Sequence, residues 1–390
     1  MKKLSIILFV TTCFCLFLTF FISKKVEEEV KLILIKHNQP DISIELVDYQ
    51  RHFFTATAIS KVQLAIDHKF TVVFNITSSI THYPHQAVIK HQIQIEDEIL
   101  AQQAENYFAT PHWIEAENRV DLFSQLTGML TISGGKYAAD SEFLSTEPLI
   151  VNYQMDLNTN RGELHLDWAG FNSLSYGNNI AFNSLQFKTQ IKQYSDYDYQ
   201  LAVENVELLQ ETNQSILKGI LLTGRSQKGE VEKTIDTYNE LLIDSYLFDD
   251  GIKQRFTDNR IKLALTGLFQ SESGINSQSV NELFSRGTQL TLSQLSSKTP
   301  WGTVLGSFDF IFDPGTPLME ATENPYILFD YMNGEADIVL PITLLDEPSV
   351  SEPLQLGLMT GFLLQDDQTL HFETSFLQGE WIVNGRVIPL

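Results

Sequence analysis

Along most of the chain, apolar and polar residues alternate with a period of two. In VIKHQIQIED, Ile89, His91 and Ile93 fall on one side, and Lys90 and Gln92 fall on the other. Side chains of a β-strand point alternately to opposite faces, so this period indicates strands with one buried and one solvated face. The same alternation returns in KVQLAI, GELHLDWAG, IKLALTG and GSFDFIFD. The pattern predicts a mainly β fold with few helices.

Turn sequences separate the alternating segments and indicate how the strands are connected. Polar and glycine residues fall between them at 158–162, at 227–229 and at Asn384-Gly385. Short turns of this composition join neighbouring antiparallel strands. We therefore predict one large, curved, antiparallel β-sheet domain over residues 40–390. A short helix near 278–287 leaves open a subdivision into two such domains.

The N-terminal residues lack this alternation and form an apolar stretch. Leu4 to Ile22 is nineteen residues without a charge, close to the roughly 20 that cross a bilayer as a helix. A cleavable signal peptide has a shorter apolar region of about 7 to 15 residues, followed by small residues that are absent here. We therefore predict a transmembrane signal anchor over residues 1–22. Helical spacing of apolar residues continues beyond it and predicts a juxtamembrane helical stalk over 23–39.

Composition and charge narrow the compartment and the partners. With 26 Lys and Arg against 49 Asp and Glu, the chain has a formal net charge of −23, which argues against binding to nucleic acid. Both cysteines, Cys13 and Cys15, lie in the apolar stretch, so the remainder has no disulfide framework. Long domains are exported largely regardless of their charge. We therefore predict that residues 23–390 lie outside the cytoplasm.

The segment THYPHQ is the only local cluster of metal-type ligands in the sequence. Its two imidazoles, His82 and His85, would point apart on a strand or loop, and no carboxylate at a fixed spacing completes a site. His91 lies among isoleucines, where a hydrogen-bonded core histidine is the commoner interpretation. DLNTNRGELHLD resembles a calcium loop, but its sixth residue is Arg161 instead of glycine, which favours a hairpin turn. The sequence predicts no metal and no cofactor.

Sequence motifs of catalysis are absent. The chain contains no G-x-S-x-G, no G-x-x-x-x-G-K-[ST], no G-x-G-x-x-G and no H-E-x-x-H, which would indicate hydrolases, phosphate loops, dinucleotide sites and zinc proteases. Two carboxylates that meet across a cleft could hydrolyse a glycoside, but sequence spacing does not reveal such a pair. The sequence therefore predicts a protein that is not an enzyme.

Aromatic residues suggest one further kind of site. The chain has 26 Phe, 13 Tyr and 4 Trp, and Phe308, Phe310 and Phe312 fall on one face of a predicted strand, as Trp168 does on another. Such residues ordinarily form a core. If the curved sheets do not close on each other, however, these faces would line an apolar groove able to hold an acyl chain.

Several short motifs follow one another in an order that resembles a known family. They are a Tyr-Arg-aromatic segment, a His-Pro segment, a double glycine and a terminal Asn-Gly turn: Tyr49, Arg51, Phe53, His82, Pro84, Gly134, Gly135, Asn384 and Gly385. In this order, nearly end to end, the chain resembles the YdgA and YihF family of Gram-negative bacterial proteins, a domain of unknown function behind one membrane anchor. The chain departs from the family at His52 and at Tyr83, where glycine is favoured.

The resemblance implies a single-pass inner-membrane protein with its C-terminal domain in the periplasm, and it implies no activity. We therefore expect a non-enzymatic protein that binds another envelope component in envelope assembly or maintenance. The alternatives are a lipid-binding or lipid-transfer β-groove protein and a periplasmic hydrolase with a carboxylate pair. The expected partners are the lipid bilayer, through the N-terminal helix, and an envelope protein or lipid. No nucleic acid is expected, and a homo-oligomer is left open.

Overall fold

The computed structural model describes residues 15–27, 42–65, 70–139, 141–193, 195–210, 213–269, 280–377 and 379–388. Strands dominate these residues, and every strand pair is antiparallel. The prediction of a mainly β, antiparallel fold with few helices is thereby confirmed. The chain divides into two compact units, Met1–Tyr176 and Gly177–Leu390.

The first unit contains two helices and ten strands. Helix α1 covers residues 15–27, and helix α2 (Glu98–Phe108) begins at the capping side chain of Asp97, which accepts hydrogen bonds from the backbone N–H groups of Ile99 and Leu100. The strands are β1 (Ile42–Arg51), β2 (Thr55–Ala65), β3 (Thr71–His82), β4 (Gln86–Ile95), β5 (Ile114–Asp121), β6 (Gln125–Ile132), β7 (Gly135–Ala139), β8 (Glu142–Thr146), β9 (Leu149–Asp156) and β10 (Arg161–Ser175).

The strands of the first unit pair in the order β1–β2–β3–β4–β5–β6–β9–β10, and β8 joins β10 to β7. Strand β9 therefore lies beside β6, although two short strands separate them in sequence. This order sets Tyr153 of β9 opposite Gly128 of β6, and Gly128 opposite Asn118 of β5. Three residues that are distant in sequence thus form one row across the sheet.

Helix α1 packs against the inner face of this sheet. Ile22 and Val26 are each 1% exposed and belong to one core cluster with Ala56, Ile80, Ala87, Ile89 and Val120. Small residues at Ala56 and Ala87 let the helix approach the strands closely. Burial of the Ile22 side chain or of the Val26 side chain stabilises this contact by about 1.5–3 kcal/mol.

The predicted anchor and stalk lie only partly within the described residues. Leu4 and residues 28–39 lie outside them, whereas Ile22 belongs to α1. Within the described part of the chain, no helix combines the length and the apolar character that crossing a membrane requires.

The second unit is a longer sheet with short helices near its end. Its strands are β11 (Asn178–Gln193), β12 (Asp196–Gln210), β13 (Asn213–Lys228), β14 (Thr234–Asp249), β15 (Lys253–Phe269), β16 (Thr288–Thr299), β17 (Gly302–Phe312), β18 (Met332–Pro341), β19 (Leu364–Gln365), β20 (Thr369–Leu377), β21 (Glu380–Val383) and β22 (Arg386–Ile388). Its helices are α3 (Val280–Leu283), α4 (Leu318–Ala321), α5 (Pro348–Thr360) and two 3₁₀ helices at Pro325–Asp330 and Ile342–Asp346.

Strands β11 to β18 pair in chain order, followed by β20, β21 and β22, and β19 pairs with β20. Strands β15 and β16, which flank the segment near 278–287, pair with each other, and the structure describes this segment from residue 280 onward. One face carries an aliphatic row across five strands, formed by Leu201, Leu222, Leu241, Ile261 and Leu295. All five side chains are half-buried.

Candidate functional site

A cavity of about 320 Å³ lies on the inner face of the first unit, next to the C-terminal end of α1. Val26 closes one side, and strands β1 to β6 and β9 supply most of the other walls. Ten aliphatic residues line it: Val26, Ile44, Ala58, Val62, Ile76, Ile80, Ile89, Val120, Leu126 and Leu157. The polar lining consists of Ser60, Ser78, His91, Asn118 and Tyr153. The volume is within the range of about 300–1,000 Å³ that is typical of ligand pockets.

Four of the polar side chains form a continuous chain of hydrogen bonds. The Tyr153 hydroxyl donates to Asn118 Oδ1 over 2.5 Å. Asn118 Nδ2 lies 3.1 Å from His91 Nε2, and Ser78 Oγ lies 2.8 Å from His91 Nδ1. The chain therefore crosses the sheet from β9 through β5 and β4 to β3. We call these four residues the polar chain.

Gly128 provides the space that the polar chain requires. A Cβ atom at this position would lie 2.2 Å from Tyr153 Cζ and 2.4 Å from Asn118 Oδ1. The tyrosine ring thus passes over the glycine of the intervening strand to reach the asparagine on the strand beyond it. Any larger residue at Gly128 would separate Tyr153 from Asn118.

The direction of these hydrogen bonds determines the proton position on His91. Because Asn118 Oδ1 accepts from Tyr153, the amide nitrogen faces His91, and its N–H donates to Nε2. A neutral imidazole that accepts at Nε2 carries its proton on Nδ1, which then donates to Ser78 Oγ. The Ser78 hydroxyl, 6% exposed, keeps its own proton for a different acceptor. Among the residues that the structure describes, Ser78 Oγ has no second hydrogen-bond partner.

Burial keeps the polar chain uncharged. Desolvation lowers the pKa of His91 below its ordinary value, so the ring is neutral at pH 7,. Burial also raises the pKa of Tyr153, while its hydrogen bond to Asn118 acts in the opposite direction. The described lining contains no Asp, Glu, Lys or Arg. The cavity is therefore an apolar site with a neutral hydrogen-bonding wall.

A second Tyr–Gly–Asn row occurs in the other unit, without a histidine. Tyr199 of β12 lies opposite Gly224 of β13, which lies opposite Asn239 of β14. The Tyr199 hydroxyl donates to Asn239 Oδ1 over 2.5 Å, and a Cβ at Gly224 would lie 2.2 Å from Tyr199 Cζ. This row has the geometry of the first one and serves as an internal comparison for it.

Arg51 contacts α1, and two further family-like residues lie close to Arg51. Arg51 Nη1 lies 2.8 Å from Glu27 Oε2, and its guanidinium lies 5.6 Å from the centroid of the Phe20 ring. Burial, followed by the nearby Glu27, raises the pKa of Tyr49 to about 12. Burial and the Arg51 charge lower the pKa of His82, which is 2% exposed.

The remaining family-like residues have structural positions elsewhere. Pro84 lies in the turn between β3 and β4. Gly134 and Gly135 lie where β6 gives way to β7, and a Cβ at Gly135 would lie 2.5 Å from Tyr107 Cε1. Asn384 and Gly385 form the turn between β21 and β22 with φ angles of 48° and 74°, in the second unit.

The predicted groove residues belong to both units, with the three phenylalanines in the second and Trp168 in the first. Phe308 and Phe310 stack with ring centroids 5.2 Å apart, and Phe310 also contacts Phe376 in the second unit. Phe312 is buried at the C-terminal end of the same strand. Trp168 belongs to the first unit, where its Nε1 donates to Thr146 Oγ1 over 2.9 Å. An acyl-chain groove along the three phenylalanines stays a prediction.

The structure also places the two segments considered as metal sites. Across the described residues, no group of three His, Cys, Asp or Glu side chains is arranged to hold a metal ion. Asp156 Oδ1 accepts from the backbone N–H groups of Asn158 and Thr159, at 2.8 and 3.2 Å. The resulting turn joins β9 to β10, which confirms the hairpin interpretation of DLNTNRGELHLD.

Sequence patterns identified His91 as a hydrogen-bonded core histidine, and its contacts confirm this interpretation. They did not identify Ser78, Asn118, Gly128 or Tyr153. A polar residue at an inward position of an otherwise apolar strand was the available signal, since Ser78 and Asn118 each occupy such a position. Their association depends on strand order, which local patterns do not determine.

Residues 1–268 match a family of bacterial proteins of unknown function, DUF945. Searches of curated proteins and of solved structures found no match to the chain. The finer resemblance to the YdgA and YihF proteins stays a prediction.

Proposed function

Because this chain belongs to DUF945, a family that supplies no activity, we propose a function from the geometry of its own cavity. The first unit binds an uncharged amphiphile: a molecule with an aliphatic body and a neutral hydrogen-bond acceptor such as a hydroxyl or an ester carbonyl. The observation that carries this proposal is the aliphatic cavity with the polar chain on one wall.

The aliphatic lining supports an apolar ligand body. Ten of the lining residues are aliphatic, and apolar surface that a ligand removes from water contributes about 25 cal/mol per Å². A ligand of this kind would bind mainly through this effect. Its orientation would come from the polar chain.

The polar chain supports a neutral acceptor on the ligand. The Ser78 hydroxyl has a proton to donate, while His91 and Asn118 are already engaged with each other. A carboxylate would need a compensating cation, since a buried charge without a partner is strongly unfavourable. No cation is present in the described lining. The site therefore favours an alcohol or ester over a fatty acid anion.

The same geometry argues for binding instead of hydrolysis. In an activated serine, the imidazole accepts the hydroxyl proton. Here the Nδ1 proton of His91 points at Ser78 Oγ, so the ring has no lone pair for that proton. We therefore propose that Ser78 positions the ligand without attacking it. This narrows the predicted role, binding of an envelope component, to a small amphiphile.

Photocrosslinking of the full chain in phosphatidylcholine vesicles tests the proposal. A diazirine-bearing dodecanol should label peptides of β2, β3 and β4, and a diazirine-bearing dodecanoate should label them much less at alkaline pH. Val62→Phe, which places a larger side chain in the cavity, should reduce this labelling. Ser78→Ala should weaken dodecanol binding by about 2- to 10-fold, the effect of one lost hydrogen bond.

Ser79→Ala is the matched control, because Ser79 follows Ser78 in β3 and is exposed on the opposite face of the strand. It should leave labelling unchanged. Equal labelling of wild type and Val62→Phe would contradict binding in the cavity. Equal labelling by the alcohol and the carboxylate would contradict the preference for an uncharged ligand.

A further inference from the structure

One end of the first sheet carries a row of turns with exposed aromatic side chains. The turns β1–β2, β3–β4 and β5–β6 all lie at this end. The chain reverses direction at each turn of an antiparallel sheet, so every second turn falls at the same end. Backbone hydrogen bonds connect them: His82 N donates to Phe54 O over 2.8 Å, and Leu122 N donates to His85 O over 3.2 Å. The turns therefore form one continuous edge, which we call the turn edge.

Each of these three turns presents at least one large exposed aromatic residue. Phe54 is 55% exposed and Phe123 is 79% exposed, and Phe53 and Tyr83 are exposed as well. Exposure of large apolar side chains to water is unfavourable, and contiguous exposed apolar surface generally marks an interaction site. These aromatic residues occupy turns, which usually consist of polar residues, glycine and proline.

Helix α1 extends the same apolar surface. Phe20 lies 6.5 Å from Phe53 between ring centroids, so the helix passes over the turn edge, and its later residue Val26 lines the cavity. Its outward residues are also apolar: Leu16, Phe17, Phe20 and Phe21 are all exposed. The turn edge and the outer face of α1 thus form one aromatic surface.

We propose that this surface rests on a lipid bilayer, with the rings of the turn edge in the interfacial layer. The chain that precedes α1 argues for this occupant. Residues 4–14 are uncharged and directly precede α1 in sequence, and Phe20 of α1 contacts Phe53 of the turn edge. Aromatic rings favour the membrane–water boundary, where an apolar body meets a hydrated surface. A fully transferred phenyl ring favours the bilayer about tenfold or more.

Fluorescence quenching in proteoliposomes tests the contact with the full chain. Cys13 and Cys15 are replaced by serine, and an environment-sensitive fluorophore is attached to Phe123→Cys. Ile99→Cys is the matched control, because Ile99 is equally apolar and exposed at 72% but begins α2 at the opposite end of the sheet. The vesicles contain phosphatidylcholine with bromine on the acyl chains, without and with phosphatidylglycerol.

We expect brominated lipid to quench the fluorophore at position 123 in both lipid mixtures. The fluorophore at position 99 should not be quenched in either mixture. Equal quenching of the two positions by brominated lipid would overturn the proposal. Protection of position 123 from a water-soluble quencher without quenching by brominated lipid would indicate a second copy of the chain on this surface, and would overturn it too. Neither outcome depends on occupancy of the cavity, so failure here is distinct from failure of the proposed amphiphile binding.

Discussion

The hydrogen atom of Gly128 is what allows Tyr153 to lie flat across a neighbouring strand. Gly128→Ala would force Cβ to 2.2 Å from the tyrosine ring, and overpacking of this kind costs about 1–3 kcal/mol in the free energy of unfolding. We expect that loss in urea unfolding, together with loss of amphiphile labelling.

Gly224→Ala is the matched control for Gly128→Ala, because it meets Tyr199 at the same distance. It should destabilise its own unit by a similar amount and leave labelling of the cavity intact. Loss of labelling in both variants would show that the effect is general destabilisation, against a specific role of Gly128.

The tautomer of His91 gives a second prediction for single residues. ¹⁵N NMR of the imidazole should show the proton on Nδ1 in the wild type. In Tyr153→Phe the Asn118 amide is no longer oriented by Tyr153, and a mixture of Nδ1–H and Nε2–H should appear. Tyr199→Phe, the equivalent change in the second unit, should leave the His91 signals unchanged. An Nε2–H tautomer in the wild type would contradict the assigned direction of the polar chain.

At the scale of elements, the contact of α1 with the sheet has a measurable consequence. Ile22 is fully buried against the sheet, whereas its neighbour Phe21 is exposed. Ile22→Ala should reduce stability by about 2–5 kcal/mol through the lost apolar contact and the resulting cavity.

Hydrogen exchange of the β2–β5 amides in lipid vesicles measures this effect, since it reports on the first unit alone. Exchange should accelerate strongly in Ile22→Ala. The control Phe21→Ala should change it little. Similar exchange in Ile22→Ala and wild type would mean that α1 does not stabilise the sheet.

The two-residue period predicted strands because it depends on neighbours within one segment. Ile89, His91 and Ile93 indeed share the inner face of β4. The meeting of Tyr153 with Asn118 could not be predicted in this way, because it requires β9 to pair with β6 across the excursion of β7 and β8. Turn signals locate hairpins between successive strands. They do not determine which strands pair when the partners are not successive in sequence.

The N-terminal pattern illustrates a different limit. Its apolar residues predicted a membrane span up to Ile22, and apolar content alone does not distinguish lipid from a protein core as the environment. Ile22 and Val26 pack against small residues of β2 and β4. The periodicity of α1 fits both environments, so only the sheet it meets identifies the buried side chains.

At the scale of the whole molecule, acid should destabilise the fold. His82 and His91 both have lowered pKa values relative to the ordinary 6.5, in each case chiefly through burial. As pH falls below that value, the unfolded chain binds protons that the folded chain does not, so the free energy of unfolding decreases. The urea midpoint of the first unit should therefore fall between about pH 7 and about pH 5.

The double variant His82→Gln/His91→Gln should weaken that dependence on pH, although it lowers stability at neutral pH. His52→Gln is the control, since His52 is exposed. An unchanged pH dependence in the double variant would assign acid sensitivity to other groups among the many carboxylates of this anionic chain.

The packing of α1 also bears on how the protein can be produced. Apolar N-terminal segments are often removed for expression. A recombinant chain that begins at residue 28 would lack Ile22 and Val26, and the side chains they cover would be exposed to water: Ile80, Ile89 and Val120. Such a preparation should aggregate or bind detergent in place of its helix. Soluble expression would then require retaining the helix and replacing only its outward phenylalanines.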